Sequence, residues 1–210
     1  MRKIFSFMGV SADGYYADAE GGLAWQTFDQ QFTDYSIEQL DEVDTLIFGR
    51  VTYEGMVAYW PTQAGKNFDA DIAARMNAIS KIVVSRTLVQ ADWANTRVVR
   101  DDVTTQLTEL KRQAGKDIAI FGSSALTADL LALGLVDEVR LMVNPVILGH
   151  GASLFAGAPA TPLGLAETRR FDSGCLLLTY RPSGRGCLYA TDSGGQPARY
   201  RHPASRAAPR

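Results

Sequence analysis

The chain has 210 residues, of which 46% are hydrophobic, and a formal net charge of -2. That length can bury one sizeable core and does not demand two domains. The balanced charge shows no basic stripe in the apolar-rich part, so no nucleic-acid partner is expected. No apolar run is long enough to cross a bilayer, so no membrane partner is expected either.

The first residues, MRKIFSFMGVSADG, put two basic residues before an apolar stretch, as a secretory leader does. Asp13 and Gly14 interrupt that stretch, and no small-residue cleavage site follows. The segment reads instead as a strand over Arg2–Val10, rich in Ile, Phe and Val. A helix is predicted over Phe32–Asp41 and a short buried strand over Thr45–Phe48. A helix over Tyr53–Tyr59 stops before Pro61. Asp69–Ile79 reads as a helix, Lys81–Ser85 as a strand and Val98–Val99 as a brief strand. Val103–Ala114 is amphipathic, with Val103, Leu107 and Leu110 at helical spacing, and Gly115 ends it. Ile118–Phe121 is a strand, and Ala125–Leu133 is a helix stopped by Gly134. Strands over Glu138–Val143, Gly164–Arg170 and Leu176–Tyr180 follow without long helices between them.

Apolar strands alternating with helices predict an α/β fold with a mostly parallel sheet covered on both faces. The closing run of strands predicts an antiparallel edge. From about residue 183 to 210 the chain turns rich in Gly, Pro, Ser, Ala and Arg. Such a stretch lacks the apolar residues that offset ordering entropy, so it is expected to be a disordered tail. Residues 1–182 are then the domain. Cys175 and Cys187 lie in no CxxC or Cys/His cluster, so no metal site is expected. Without an export signal, two reduced thiols and a cytoplasmic location are expected. The count alone also permits a disulfide.

Three strand-to-helix junctions carry the chemistry, because open α/β sheets bind ligands beyond the carboxyl ends of their strands. In TLIFGRVTYE, Gly49 allows a ligand to approach the backbone and Thr52 stands where it can cap the next helix. Arg50 can pair with a phosphate through two donors. In KIVVSRTL, Ser85, Arg86 and Thr87 are donors suited to phosphate or ribose. In IAIFGSSALTADLL, Gly122-Ser123-Ser124 opens a helix whose amino end favours an anion. There is no GxGxxG fingerprint. Each junction taken alone is equally an ordinary turn.

Taken together, SADGYYA, DTLIFGRVTYE, KIVVSRTL, and IFGSSALTADLL with GLVDEVRLMVNPVILGHGASLF resemble the dihydrofolate reductase-like proteins related to the reductase domain of bacterial riboflavin biosynthesis. The resemblance covers roughly residues 2 to 181. It implies a three-layer α/β domain around a mixed sheet of about eight strands. It implies NADPH as cofactor, with Gly49, Arg50 and Thr52 on its 2'-phosphate and pyrophosphate side. Ser85 and Arg86 would follow the adenosine ribose. Gly122, Ser123, Ser124 and Ala125 would face the pyrophosphate, and Ala12 and Asp13 the nicotinamide. Relatives often carry a Gly-Gly pair joined by a cis peptide where this chain has Gly122-Ser123.

The substrate side is less legible. Residues 11–25, SADGYYADAEGGLAW, have the glycines of a mobile lid. Asp29 is the nearest carboxylate after Trp25 and so the candidate proton donor, although helix capping explains it as well. Trp25, Phe28 and Tyr53 are candidate substrate-binding residues, with Trp60 and Phe155 as further aromatic walls; each also suits a core. His150, in a glycine-flanked turn, reads as structural or exposed. These features lead to a reductase of a small heterocycle, similar to 5-amino-6-(5-phosphoribosylamino)uracil reductase or dihydrofolate reductase. The competing reading is a non-catalytic module that binds a nucleotide or pterin. In either case a homodimer is expected, with Leu176–Leu178 offering apolar surface.

Overall fold

A computed structural model describes residues 1–183. The tail expected from residue 183 onward, and Cys187 with it, otherwise lies outside the described residues. Among the described residues ten strands and six helices follow one another. They are β1 (Ile4–Ser11), β2 (Tyr15–Ala17), α1 (Gln30–Glu42), β3 (Val43–Gly49), α2 (Arg50–Tyr59), α3 (Gln63–Phe68), α4 (Ala70–Ala78), β4 (Ser80–Val84) and β5 (Thr96–Val99). Then come α5 (Val103–Arg112), β6 (Asp117–Phe121), α6 (Ser124–Ala132), β7 (Glu138–Asn144), β8 (Ala152–Ser153), β9 (Leu163–Arg170) and β10 (Leu176–Pro182).

Eight strands form one sheet in the order β5-β4-β3-β6-β1-β7-β10-β9. All neighbours pair in parallel except β10, which is antiparallel to both β7 and β9. β10 alone therefore runs against the rest. The mixed, mostly parallel sheet of about eight strands and its antiparallel edge are as expected. β9 is the exposed outer strand, and Glu167, Arg169 and Arg170 on it discourage edge-to-edge pairing.

Alternation along the strands builds a main core on each face of the sheet. On one face, Phe5, Leu46, Phe48, Val83 and Ala119 pack with Leu40 of α1, Tyr53 of α2 and Ile72 and Met76 of α4. On the other, Ile4, Ile47, Ile82, Ile118 and Ile120 pack with Leu107 of α5 and Leu130 of α6. The helices thus divide between faces, α1, α2 and α4 on one and α5 and α6 on the other. Ile47 is fully buried in the second core. Ile47→Ala is expected to destabilise the protein by about 2–5 kcal/mol, read as a lower urea midpoint at unchanged slope.

The structure also departs from the sequence reading. The helix expected from Tyr53 starts at Arg50, so Thr52 lies inside its first turn and Gly49 is the N-cap. α3 was not foreseen, because QAGKNF has no apolar stripe. β2 and β8 were not foreseen either; they form a two-stranded ribbon that lies partly within the expected lid. α5 stops at Arg112, before Gly115. The apolar triplet Leu176–Leu178 does not face one way: Leu177 is buried in a third cluster with Tyr35, Met142 and Phe171, while Leu176 is 37% exposed.

Candidate functional site

From β1 the chain passes to β3 and outward to β4 and β5, then returns to β6 and continues to β7 on the far side of β1. The order of winding reverses between the adjacent strands β3 and β6. Their following helices, α2 and α6, leave on opposite faces, which opens a crevice at the carboxyl ends of these strands.

Neither helix has a capping side chain at its amino end. The first-turn amides of both are therefore available, and the two helix dipoles meet at one place. α3 and α5 also lack capping side chains, but neither meets a second helix start across the sheet. The Ser123 hydroxyl, which a simple turn would aim at its own helix, instead bridges the crevice. It accepts from the Gly49 amide at 2.8 Å and donates to Thr52 Oγ1 at 2.8 Å. Gly122 and Ser123 hold left-handed backbone, with φ 69° and 57°. The Gly122 amide donates to the Phe7 carbonyl at 3.0 Å, which ties this turn to β1. Every described peptide bond is trans.

Two cations stand at the mouth. Arg50 pairs with Glu54 one helical turn on, at 2.9 Å, with both side chains nearly half exposed. An ion pair so wetted contributes little and yields readily to a better anion. Arg86 is exposed just beyond β4 and forms no ion pair among the described residues. Ser85 accepts from the amides of Thr87 and Leu88, which fixes the turn that presents Arg86. Gly49, Arg50, Thr52, Ser85, Arg86, Gly122, Ser123, Ser124 and Ala125 thus all lie along the carboxyl edge of β3, β4 and β6. The Ser124 hydroxyl is occupied, accepting from the Phe155 amide at 2.9 Å.

The β1 end is built differently. Ala12 is exposed and its amide donates to the Val146 carbonyl. Asp13 accepts from the Ser11 hydroxyl and from the amides of Leu148 and Gly149. These donors, the Ser11 hydroxyl foremost, lower its carboxyl to about 2. Asp13 therefore fastens the 147–149 loop to β1. His150, next to that loop, is exposed, as expected.

The aromatic candidates separate. Tyr53 is 3% exposed, and its hydroxyl accepts from the Trp93 amide at 3.0 Å. It belongs to the core and not to a substrate wall. Phe155 packs against the opposite core, on the α6 face. Phe28 is 46% exposed and starts a run of edge-to-face contacts: Phe32 to Phe28, Phe28 to Phe68, and Phe68 to Trp60. This run links the start of α1 to the end of α2 through α3. Trp25 is half-buried, its indole N–H donating to the Gly22 carbonyl. Asp29 caps α1 by accepting from the Phe32 amide at 2.8 Å.

The sequence reading missed three residues. Asn144, at the end of β7, is 1% exposed and accepts from the Thr27 amide, holding the 25–28 segment to the sheet. Gly9 breaks an otherwise bulky β1, and Gln26 lies on it. A glycine inside a strand signals a close approach, and that signal was legible in FSFMGVS. At the opposite, amino, end of the sheet lies an open groove of about 580 Å³ lined by Arg2, Asp44, Lys81 and Arg97 among others. Its buried charges are satisfied internally: Arg2 by Asp44, and Lys81 by three carbonyls.

Residues 2–177 match the model of the RibD C-terminal domain. The chain belongs to the RibD C-terminal domain family. It is 30% identical over 187 residues to the uncharacterised protein YyaP of Bacillus subtilis (strain 168), an alignment that covers 87% of this chain and 96% of that protein. Its fold is similar to a diaminohydroxyphosphoribosylaminopyrimidine deaminase/5-amino-6-(5-phosphoribosylamino)uracil reductase of Thermotoga maritima, with TM-score 0.62 and 15% identity over 87% of this chain and 57% of that one. It is also similar to dihydrofolate reductase from Enterococcus faecalis complexed with NADP(H) and RAB-propyl, with TM-score 0.54 and 17% identity over 86% of this chain and 96% of that one. The RibD C-terminal fold and its dihydrofolate reductase-like architecture are thus those expected from the motifs. Among the described residues no helix is long and apolar enough to cross a membrane, and no cluster of His, Cys, Asp or Glu could hold a metal ion.

Proposed function

We propose that this member of the RibD C-terminal family is an NADPH-dependent reductase of a small planar heterocycle. The observation that carries the reading is the pair of uncapped helix starts at the winding reversal, clamped together by Ser123 between Gly49 and Thr52. Backbone amides of residues 50–52 and 124–126 would bind the pyrophosphate without a bulky side chain in the way. Arg50 and Arg86 would address the 2'-phosphate and adenosine side, with Ser85 setting the Arg86 turn. Ala12 would lie against the nicotinamide, and Asp13 would hold the 147–149 loop beside it. When bound, NADPH supplies a hydride. The aromatic run from Phe32 to Trp60, exposed at Phe28 and Phe68, would exclude water from the acceptor and hold it flat.

Support comes from the family, from the fold shared with reductases, and from the geometry of the crevice. The capping role of Asp29 favours one competitor, a module that binds nucleotide without catalysis, since it commits the nearest carboxylate to α1. The test is titration with NADPH and NADH, followed by nicotinamide fluorescence. NADPH is expected to bind at least tenfold more tightly than NADH, and Arg50→Ala to remove most of that preference. Failure to bind either nucleotide would sink the reductase reading. Binding with no oxidation of NADPH by any pterin, flavin or pyrimidine would favour the non-catalytic module.

A further inference from the structure

The groove of about 580 Å³ at the amino ends of β3, β4 and β5 lies beside the last turn of α5. It is at the far end of β3 and β4 from the crevice between α2 and α6. A smaller hollow of about 370 Å³ continues it along α5, past Gln106 and Glu109. The two share Arg97, Leu110 and Gln113. Volumes of this size suit a small organic molecule. Strand alternation decides what faces it. Ile82 pairs with Ile47 on one side and with Arg97 on the other, so all three side chains share the α5 face of the sheet. Lys81 also borders the groove, but its ammonium stands over Trp93 on the opposite face.

Two guanidiniums and one carboxylate line the groove. The Arg2 side chain is only 6% exposed. Its Nη2 donates to Asp44 and to Thr45 Oγ1, and its Nε donates to the Lys116 carbonyl. Its Nη1 has no partner among the described residues. Asp44 therefore meets the charge of Arg2 but leaves one of its nitrogens unused. Asp44 itself is spent, because it also accepts from the Thr45 hydroxyl at 2.8 Å and from the Lys116 amide at 2.9 Å. Held on two of its three nitrogens, the guanidinium is fixed in plane before any ligand arrives. A staple between the start of the chain and β3 needs only those two, so the third is surplus to structure. Arg97 is exposed and uses Nη1 on Gln106 at 3.1 Å; its Nε and Nη2 have no partner among the described residues.

We propose that this groove is a second binding site, for an organic monoanion: a carboxylate on a short apolar chain. Arg2 Nη1 and the outer nitrogens of Arg97 would each take one carboxylate oxygen through a charge-assisted hydrogen bond. Ile82 and Leu110 would carry the apolar chain. The two guanidiniums against Asp44 leave a surplus of a single positive charge, and Glu109 beyond them opposes a second negative charge on the ligand. A carboxylate therefore binds in preference to a dianionic phosphate. The site shares no residue with the nucleotide crevice and does not depend on the reductase reading.

The probes are sodium butyrate, inorganic phosphate and 1-butanol, each titrated into the full chain at constant ionic strength and followed by amide chemical shifts. Butyrate is expected to give saturable shifts at Ser80, Thr96, Arg97 and Gln113, and 1-butanol none. Phosphate is expected to bind the same residues more weakly. Arg2→Lys is the decisive variant: an ammonium has three donors, which Asp44, Thr45 and the Lys116 carbonyl consume, so the charge stays and the surplus donor goes. It is expected to weaken butyrate about tenfold or more. Arg97→Gln, on the exposed side and safe for folding, is expected to weaken it about threefold. Neither variant is expected to alter nucleotide affinity. Butyrate shifts confined to residues 49–52 and 122–126, no saturable shift at all, phosphate binding more tightly than butyrate, or butyrate affinity unchanged in Arg97→Gln would each overturn the proposal.

Discussion

Gly122→Ala is expected to raise the dissociation constant for NADPH at least tenfold, about 1.4 kcal/mol or more. At φ 69° a β-carbon is strained, and here it would lie 3.1 Å from Thr52 Cγ2. Thr52 cannot retreat without leaving the Ser123 hydroxyl, and that hydroxyl also receives the Gly49 amide. One methyl therefore disturbs the starts of both α2 and α6. The strain by itself costs roughly 1–2 kcal/mol of folding stability. Gly134→Ala separates the two effects: Gly134 has the same φ, 69°, but no atom lies within 4 Å of the added methyl. Both variants are expected to melt earlier, and only Gly122→Ala to lose nucleotide. Equal NADPH affinity in the two variants would mean that the Ser123–Thr52 clamp has no part in binding.

The second large effect is on stability and comes from Lys81. This lysine is 1% exposed, and its ammonium donates to the carbonyls of Asn77, Ile79 and Ala94 at 2.8–3.1 Å and stands over the Trp93 ring. The carbonyls at the end of α4 favour the charge, but among the described residues no carboxylate pairs with it, and burial lowers it from 10.5 to about 8. Because the folded value is the lower one, the unfolded chain binds the proton more tightly between these limits. Stability therefore rises with pH across that window and is penalised most below pH 8. From pH 8 to 9.5 the gain is expected to be about 1.5 kcal/mol, an increase of roughly 3–6 °C in Tm. Above pH 10 the gain is opposed by Tyr35, whose hydroxyl burial raises, so that unfolding increasingly releases its proton. Lys81→Met is expected to flatten the profile between pH 8 and 9.5. A slope equal to that of the wild type would assign the effect to another group.

Some of this protein was decided locally. Periodicity in VTTQLTELKR and continuous apolar runs such as LIF and IVV specify helix and buried strand wherever they are placed, because side-chain direction follows backbone type. For that reason the order of β3, β4, β6 and β7 and the antiparallel finish were legible in the sequence, and with them the three junctions. The motifs carried the family as well, since glycine and hydroxyl residues at strand ends reflect backbone conformations that few other residues adopt.

What the sequence could not settle was which way each side chain is spent. Ser123 looks like a cap and is a clamp, because its partners, Gly49 and Thr52, are more than 70 residues away in the chain. Tyr53 looks like a cleft wall and is core, because α2 starts at Arg50 and its first turn directs residue 53 inward onto Trp93. Asp29 reads equally as an acid or a cap, and the start of α1 uses it as a cap. Gly9 and Gln26 are 17 positions apart, and neither residue type announces the other. Local sequence determined the elements and their order, through dihedral preference and burial pattern. Tertiary structure alone decided the partners, because hydrogen bonds and close contacts between distant segments exist only after the sheet has brought its strand ends together.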